Sequence, residues 1–224
     1  MVYNPTQIMK KFAIGCGVVA VLALLAALVL GAAAVGSYNH LVKLSQGVDG
    51  QWAQVQNVYQ RRADLVPNLV ATVAGAANFE KSTLTEITQA RASVGQVKLD
   101  PNTAPNDPAK LAAFDQAQGQ LSSALSRLLV VVERYPDLKA NANFRDLQAQ
   151  LEGTENRIAV ERRDFNEAVK AYNTDIKSFP ALLYAGAYGF HDKPYFQATP
   201  GAETPPKVQF DFANPGSSPA QTKP

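Results

Sequence analysis

The residues best equipped for chemistry sit in RRADLVPNLV, Arg61 to Val70, which places two arginines, an aspartate, a proline and an asparagine inside helix-forming sequence. Arg62 falls on an apolar seam between Val58 and Leu65, where a charge must be paired or must reach the edge of the fold. Arg61, Asp64 and Asn68 are three and four residues apart, so they share one stripe of a helix. A second polar stripe, Glu155, Arg162, Asn166 and Asn173, with Arg163 beside Arg162, runs along a later helix. If the two helices lie antiparallel and in contact, Arg62 can meet Glu155, and Asp64 can meet Arg162 or Arg163. Pairs of this kind set register more than they add stability, and that is the expected role; a binding site on the same residues is the alternative. Asp64 and Glu155 are the candidates for an acid–base pair, but carboxylates at surface or register positions are far commoner. Pro67 removes the helical hydrogen bond to Ala63 and crowds its carbonyl, which predicts a kink or helix break, with Asn68 placed to satisfy a freed backbone group.

Little else supports catalysis. His40 and His191 lie far apart in the chain and neither has a partner at metal-ligand spacing. No Gly-rich phosphate loop and no Glu-x-x-His pair occurs. The lone cysteine, Cys16, rules out an internal disulfide and a cysteine-based metal site. The expectation is therefore a non-enzyme without metal or cofactor. A net charge of +2 over 224 residues argues against a nucleic-acid partner.

These side chains need helices to position them, and the helices start from a membrane segment. Residues 1–11 form a short flank, and residues 12–36 carry no charge and are rich in Val, Leu and Ala. At about 1.5 Å per residue they cross a hydrocarbon core of about 30 Å with room for tilt. The run is longer than the apolar core of a signal peptide. Lys10 and Lys11 precede it with no acidic residue upstream, so a cytoplasmic N-terminus and an extracytoplasmic domain are expected.

Beyond the anchor, Leu41, Leu44, Val48, Trp52, Val55, Val58, Leu65, Leu69 and Val73 recur at helical spacing, and the pattern continues weakly through Leu84, Ile87 and Val94. The three prolines of residues 98–108 mark a loop. A second helix is expected from about Ala109 to Arg134, ended by Tyr135-Pro136-Asp137. On the third, Phe144, Leu151, Ile158, Phe165, Tyr172 and Phe179 fall every seven residues, while the companion position is mixed (Leu147, Thr154, Glu161, Ala168, Asp175). A free coiled coil wants both positions apolar, so this seam belongs to an intramolecular antiparallel bundle, stopped at Pro180. Residues 181–212 place Tyr184, Tyr188, Phe190, Tyr195, Phe196, Phe210 and Phe212 among Gly and Pro. They either pack back on the bundle, the simpler arrangement, or bind a partner or the membrane interface; KVQFDF alternates as an extended segment does. Residues 213–224 have the composition of a disordered terminus.

The chain resembles the LemA family of bacterial membrane proteins. The resemblance runs through YNHLVKL (Tyr38 to Leu44), RRADLVPNLV, FEKSTL, QARA, ERYPDLKAN, LEGTENRIAVERRDFNEAV, YNTDIKSFP and GFHDKPYF, in family order, over nearly all of residues 38 to 212. Phe165 stands where the family often has tyrosine. The resemblance implies an N-terminal transmembrane helix and an antiparallel, mainly four-helical bundle, residues 37–180 here. It implies no enzymatic activity and no cofactor. Relatives among magnetosome membrane proteins imply membrane organisation or shaping. The expected function is a single-pass inner-membrane scaffold or adaptor, contacting lipid through residues 12–36 and other envelope proteins or further copies of itself through the bundle. The alternative is an extracytoplasmic ligand-sensing domain that signals through the membrane helix, with a pocket lined by Arg62, Asp64 and Asn68.

Overall fold

The computed structural model describes residues 5–75 and 79–197. It is all-helical over them: α1 (Pro5–Ala74), α2 (Lys81–Gln96), α3 (Pro108–Val132), α4 (Pro136–Ala140) and α5 (Ala142–Ile176), followed by 3-10 turns at Ala181–Leu183 and Gly186–Tyr188. Local chemistry sets several of these ends. Asp107 caps α3, its carboxylate accepting from the Ala109 amide with Pro108 at the first turn. Asn141 caps α5 by accepting from the Phe144 amide.

α1 is one unbroken helix of 70 residues, about 105 Å long at the standard rise. Its N-terminal half carries a stretch long and apolar enough to cross a membrane, none of it buried; its C-terminal half is a wall of the bundle. The buried positions there are Leu41 and then Val48, Trp52, Val55, Tyr59, Arg62, Val66, Leu69 and Val73, which from Val48 alternate steps of four and three and keep one stripe facing inward. Contacts along α1 meet α5 in reverse order: His40 faces Asp175, Gln51 faces Glu161 and Arg62 faces Glu155, so the two run antiparallel. α2 and α3 are also antiparallel, with Glu80 meeting Arg134 and Glu86 meeting Arg127. Four long helices thus alternate direction, with α4 in the turn before α5.

The core has two parts. Nearer the apolar stretch, Trp52 packs on Phe114 and Phe165, and Phe196 of the tail stacks on Trp52 at 6.3 Å. The loop after α2 closes this end, with Trp52 Nε1 donating to the Asp100 carbonyl at 2.8 Å and Ala104 buried. Farther away, Val66, Leu69 and Val73 pack with Ile87, Leu121, Leu128 and Phe144. Five of the six heptad residues of α5 are buried; Phe179 lies past the helix end and is 80% exposed.

Two sequence expectations need correction. Pro67 does not break the helix: α1 continues to Ala74, and the chain leaves it only there. The carbonyl that Pro67 cannot bond, that of Ala63, instead accepts from Arg91 Nε of α2 at 3.0 Å. Pro67 and Asn68 are both exposed, so the crowding is relieved toward solvent and the orphan acceptor is satisfied from the next helix. Asn68 does not fill that role; its own carbonyl accepts from Thr72. Replacing Pro67 by alanine restores a helical hydrogen bond, and we expect a gain of about 1–2 kcal/mol after the unfolded chain's extra freedom is set against it. Arg91→Ala is expected to cost about 1 kcal/mol in the native background and measurably less beside Pro67→Ala. Urea melts of the four proteins check the coupling; additive effects would mean that Arg91 does not compensate Pro67.

Candidate functional site

The polar seam of α5 meets three other parts of the fold in turn. Arg62 is 1% exposed at the centre of the bundle. One terminal nitrogen donates to Glu155 at 2.7 Å and to Ser122 Oγ at 2.6 Å. The other donates to the Gln118 carbonyl at 3.2 Å and to the Gln118 side-chain oxygen. Its Nε has no hydrogen-bond partner. Arg62 occupies a position that the spacing of α1 assigns to an apolar residue, so its head enters the core by geometry and α3 and α5 must supply acceptors. The guanidinium also lies 5.0 Å from the Tyr59 ring.

Arg162 sits nearly two turns farther along α5. It holds Asp115 in a two-pronged pair at 2.5 and 3.2 Å, touches the Tyr59 hydroxyl and donates to the Gln197 carbonyl of the tail. Its guanidinium stacks 4.4 Å from the Phe196 ring. Burial works against the Arg162 charge, but Tyr59 and Asp115 outweigh it and raise its pKa. Burial pushes the Tyr59 hydroxyl above its usual range, against the opposing pull of Arg162. A phenol whose folded pKa is raised contributes stability below its unfolded pKa of about 10 and loses it as pH rises through the folded value. Urea midpoints are therefore expected to fall as pH rises above about 10, and to fall less steeply in Tyr59→Phe; equal slopes would remove Tyr59 as the cause.

Asn166 and Asn173, one heptad apart, hold the tail by its backbone. Asn166 accepts from the Phe196 amide at 2.9 Å and donates to the Phe196 carbonyl at 3.1 Å. Asn173 makes the same pair with Lys193, at 2.9 and 2.8 Å. Each side-chain amide thus does what a neighbouring strand would do. Lys193 is buried and bridges to Asp49 of α1 at 3.0 Å, and Asp49 also accepts from the Ala104 amide. Residues Phe210 and Phe212, KVQFDF and the 213–224 terminus lie outside the described residues.

The structure therefore brings together Arg62 with Glu155, and Arg162 and Asn166 with the tail. It does not bring Asp64 to either arginine: Asp64 is exposed and accepts from Gln60 on its own helix. Arg163 is exposed and pairs with its neighbours Asp164 and Glu167. The residues missed are Asp115, Gln118 and Ser122, which carry the other half of the site. Their spacing of three and four on α3 marks a polar stripe beside Phe114 and Leu121, and that was the available signal. An open groove of about 1430 Å³ runs beside this cluster, lined by Arg62, Glu86, Gln118, Glu155, Arg162 and Phe196 among others.

A helical bundle whose first helix continues as a long apolar stretch fits a membrane-associated helical protein, and that stretch, the one candidate span among the described residues, fits a single pass. The chain belongs to the LemA family, whose model matches residues 51–210. It is similar to the magnetosome proteins MamQ 2 and MamQ 1 of Paramagnetospirillum magneticum, each 29% identical over 184 residues that cover 75% of this chain and 67% of the relative. It is also similar to Protein LemA of Metamycoplasma hominis, 25% identical over 165 residues, 74% of this chain and 71% of the relative.

Proposed function

We propose that the protein is a non-enzymatic scaffold or adaptor of the bacterial inner membrane, which holds a rigid bundle in line with its membrane helix for other envelope proteins or for further copies of itself. The observation that carries this reading is the unbroken α1, which passes from the apolar stretch into the core without a joint. A flexible tether would serve capture alone; a continuous rod transmits position. The similarity to magnetosome proteins supports a part in membrane organisation. The carboxylates offered for catalysis are otherwise engaged, Glu155 by Arg62 and Asp64 by Gln60. The lysine pair before the apolar stretch supports an extracytoplasmic bundle, which a reporter fused after Pro224 tests by its activity on either side. The scaffold reading is tested by crosslinking in native membranes at native abundance. Discrete larger species containing this chain are expected; recovery of monomer alone, where known weak complexes survive, would overturn it.

A second reading, ligand sensing through the membrane helix, is favoured by the groove beside Arg62. Asp64 and Asn68 do not line it. Native mass spectrometry of protein released from membranes tests this: a retained small molecule, lost in Arg62→Met, supports sensing, and bare protein throughout counts against it.

A further inference from the structure

We propose that residues 177–190 form a second membrane contact, a shallow loop seated at the boundary between lipid headgroups and acyl chains beside the exit of α1. This rests on the reading that α1 crosses the membrane.

The loop is at the right level. α5 runs antiparallel to α1, toward the apolar stretch, and ends at Ile176, beside the level at which Asp175 faces His40. Residues 177–190 continue from there. The Tyr184 hydroxyl donates to Ser37 Oγ at 2.7 Å. The Tyr38 ring meets those of Tyr188 and Phe190 at 5.6 and 5.7 Å. Ser37 and Tyr38 directly follow the apolar run that ends at Gly36. That run is about 37 Å long, some 7 Å more than the hydrocarbon core, so its end and the next turn lie among the headgroups, where tyrosine is favoured.

The loop also faces the wrong way for water. Its small residues point inward, Ala181 at 2% and Ala185 at 4% exposure, while Phe179, Leu182, Leu183 and Tyr188 are exposed at 80, 62, 75 and 68%. Backbone hydrogen bonds hold this arrangement, from Leu182 to Ser178, Leu183 to Pro180, and Ala185 to Ala181. Outside the apolar stretch, five of the eight exposed large hydrophobic residues described gather here: Tyr38, Phe179, Leu182, Leu183 and Tyr188. A concentrated apolar patch seeks a partner, and the surface continuous with it is that of a lipid-facing helix. A rigid turn with leucines outermost, beside tyrosines, matches the interfacial environment.

The test uses the full chain with Cys16→Ser, one copy per nanodisc of phosphatidylethanolamine and phosphatidylglycerol. An environment-sensitive fluorophore is attached in turn through Leu183→Cys, Val29→Cys and Val130→Cys. Val130 is 70% exposed on α3 at the far end of the bundle, and unchanged Trp52 emission verifies folding in each variant. The expected result is several-fold stronger quenching at position 183 than at 130 by a lipid carrying a shallow nitroxide, with the reverse order for aqueous iodide. Equal behaviour at 183 and 130, with 29 quenched by lipid, would overturn the loop contact and leave α1 in the membrane. Failure of lipid to quench at 29 would bring down the spanning reading and the loop contact with it. Protection at 183 that appears only with two copies per disc would assign the patch to a second copy and overturn the lipid contact.

Discussion

Arg62→Ala is expected to destabilise the bundle by about 2–5 kcal/mol, seen as a lower urea midpoint followed through Trp52, the single tryptophan, which is fully buried. The ion pair is the smaller part of that loss. Glu155 has a side chain 43% exposed, so water can replace the arginine there, and a pair of that exposure is worth about 1 kcal/mol or less. Gln118 is 3% exposed and its side-chain oxygen would lose its donor, while its backbone carbonyl, inside α3, keeps its helical partner. A buried acceptor left unmade costs about 1–3 kcal/mol, and the vacated stem adds a cavity. Glu155→Gln is accordingly expected to cost about 1 kcal/mol or less, and Arg62→Met to fall between the two, since it fills the space but leaves Gln118 unpaired. An Arg62→Ala midpoint equal to that of the unaltered protein would mean that the arginine is not part of the core.

Phe165→Ala is expected to cost a similar amount, about 3–5 kcal/mol. Its ring is fully buried, with centroids 5.7 Å from Trp52 and 5.4 Å from Phe196. Truncation therefore opens a void where α1, α5 and the tail meet, and neither Trp52 nor Phe196 can collapse into it without giving up its own contacts. Phe179→Ala, two heptads later on the same repeat, is expected to change stability by no more than about 0.5 kcal/mol because that ring touches solvent. Thermal or urea unfolding of the two variants separates them directly. Equal losses would show that the heptad, rather than burial, decides the effect.

That contrast marks how far the sequence was legible. Period and spacing located the apolar stretch, the helical class and the inward seam of α5, because each depends on residues a few positions apart. The pairing of Arg62 with Glu155 was also legible, since a cation on a seam needs a partner on the facing seam. The phase of α1 was less so. The pattern through Leu65 drew Asp64 toward the interior, whereas Val66 takes the buried position and turns Asp64 to water. Pro67 was read as a kink or a break, and the break was expected because only local partners were considered; the compensating donor, Arg91, is 28 residues away. Counting sevens carried the seam to Phe179, past the end of the helix at Ile176. The role of Asn166 and Asn173 was hidden for another reason. They bind backbone, so no side chain in the tail signals its partner.

With α1 crossing the membrane as proposed, its unbroken course makes the protein a lever with its pivot in the bilayer. From Gly36 to Ala74 it extends about 57 Å at the helical rise. A change of tilt of about 20°, the average that membrane helices show, would sweep the far end of the bundle sideways by about 20 Å. Tilt is one response to bilayer thickness and is also set by interfacial anchors, so the bilayer and the 177–190 loop together would select where around the apolar stretch the bundle reaches, with no change inside the bundle itself.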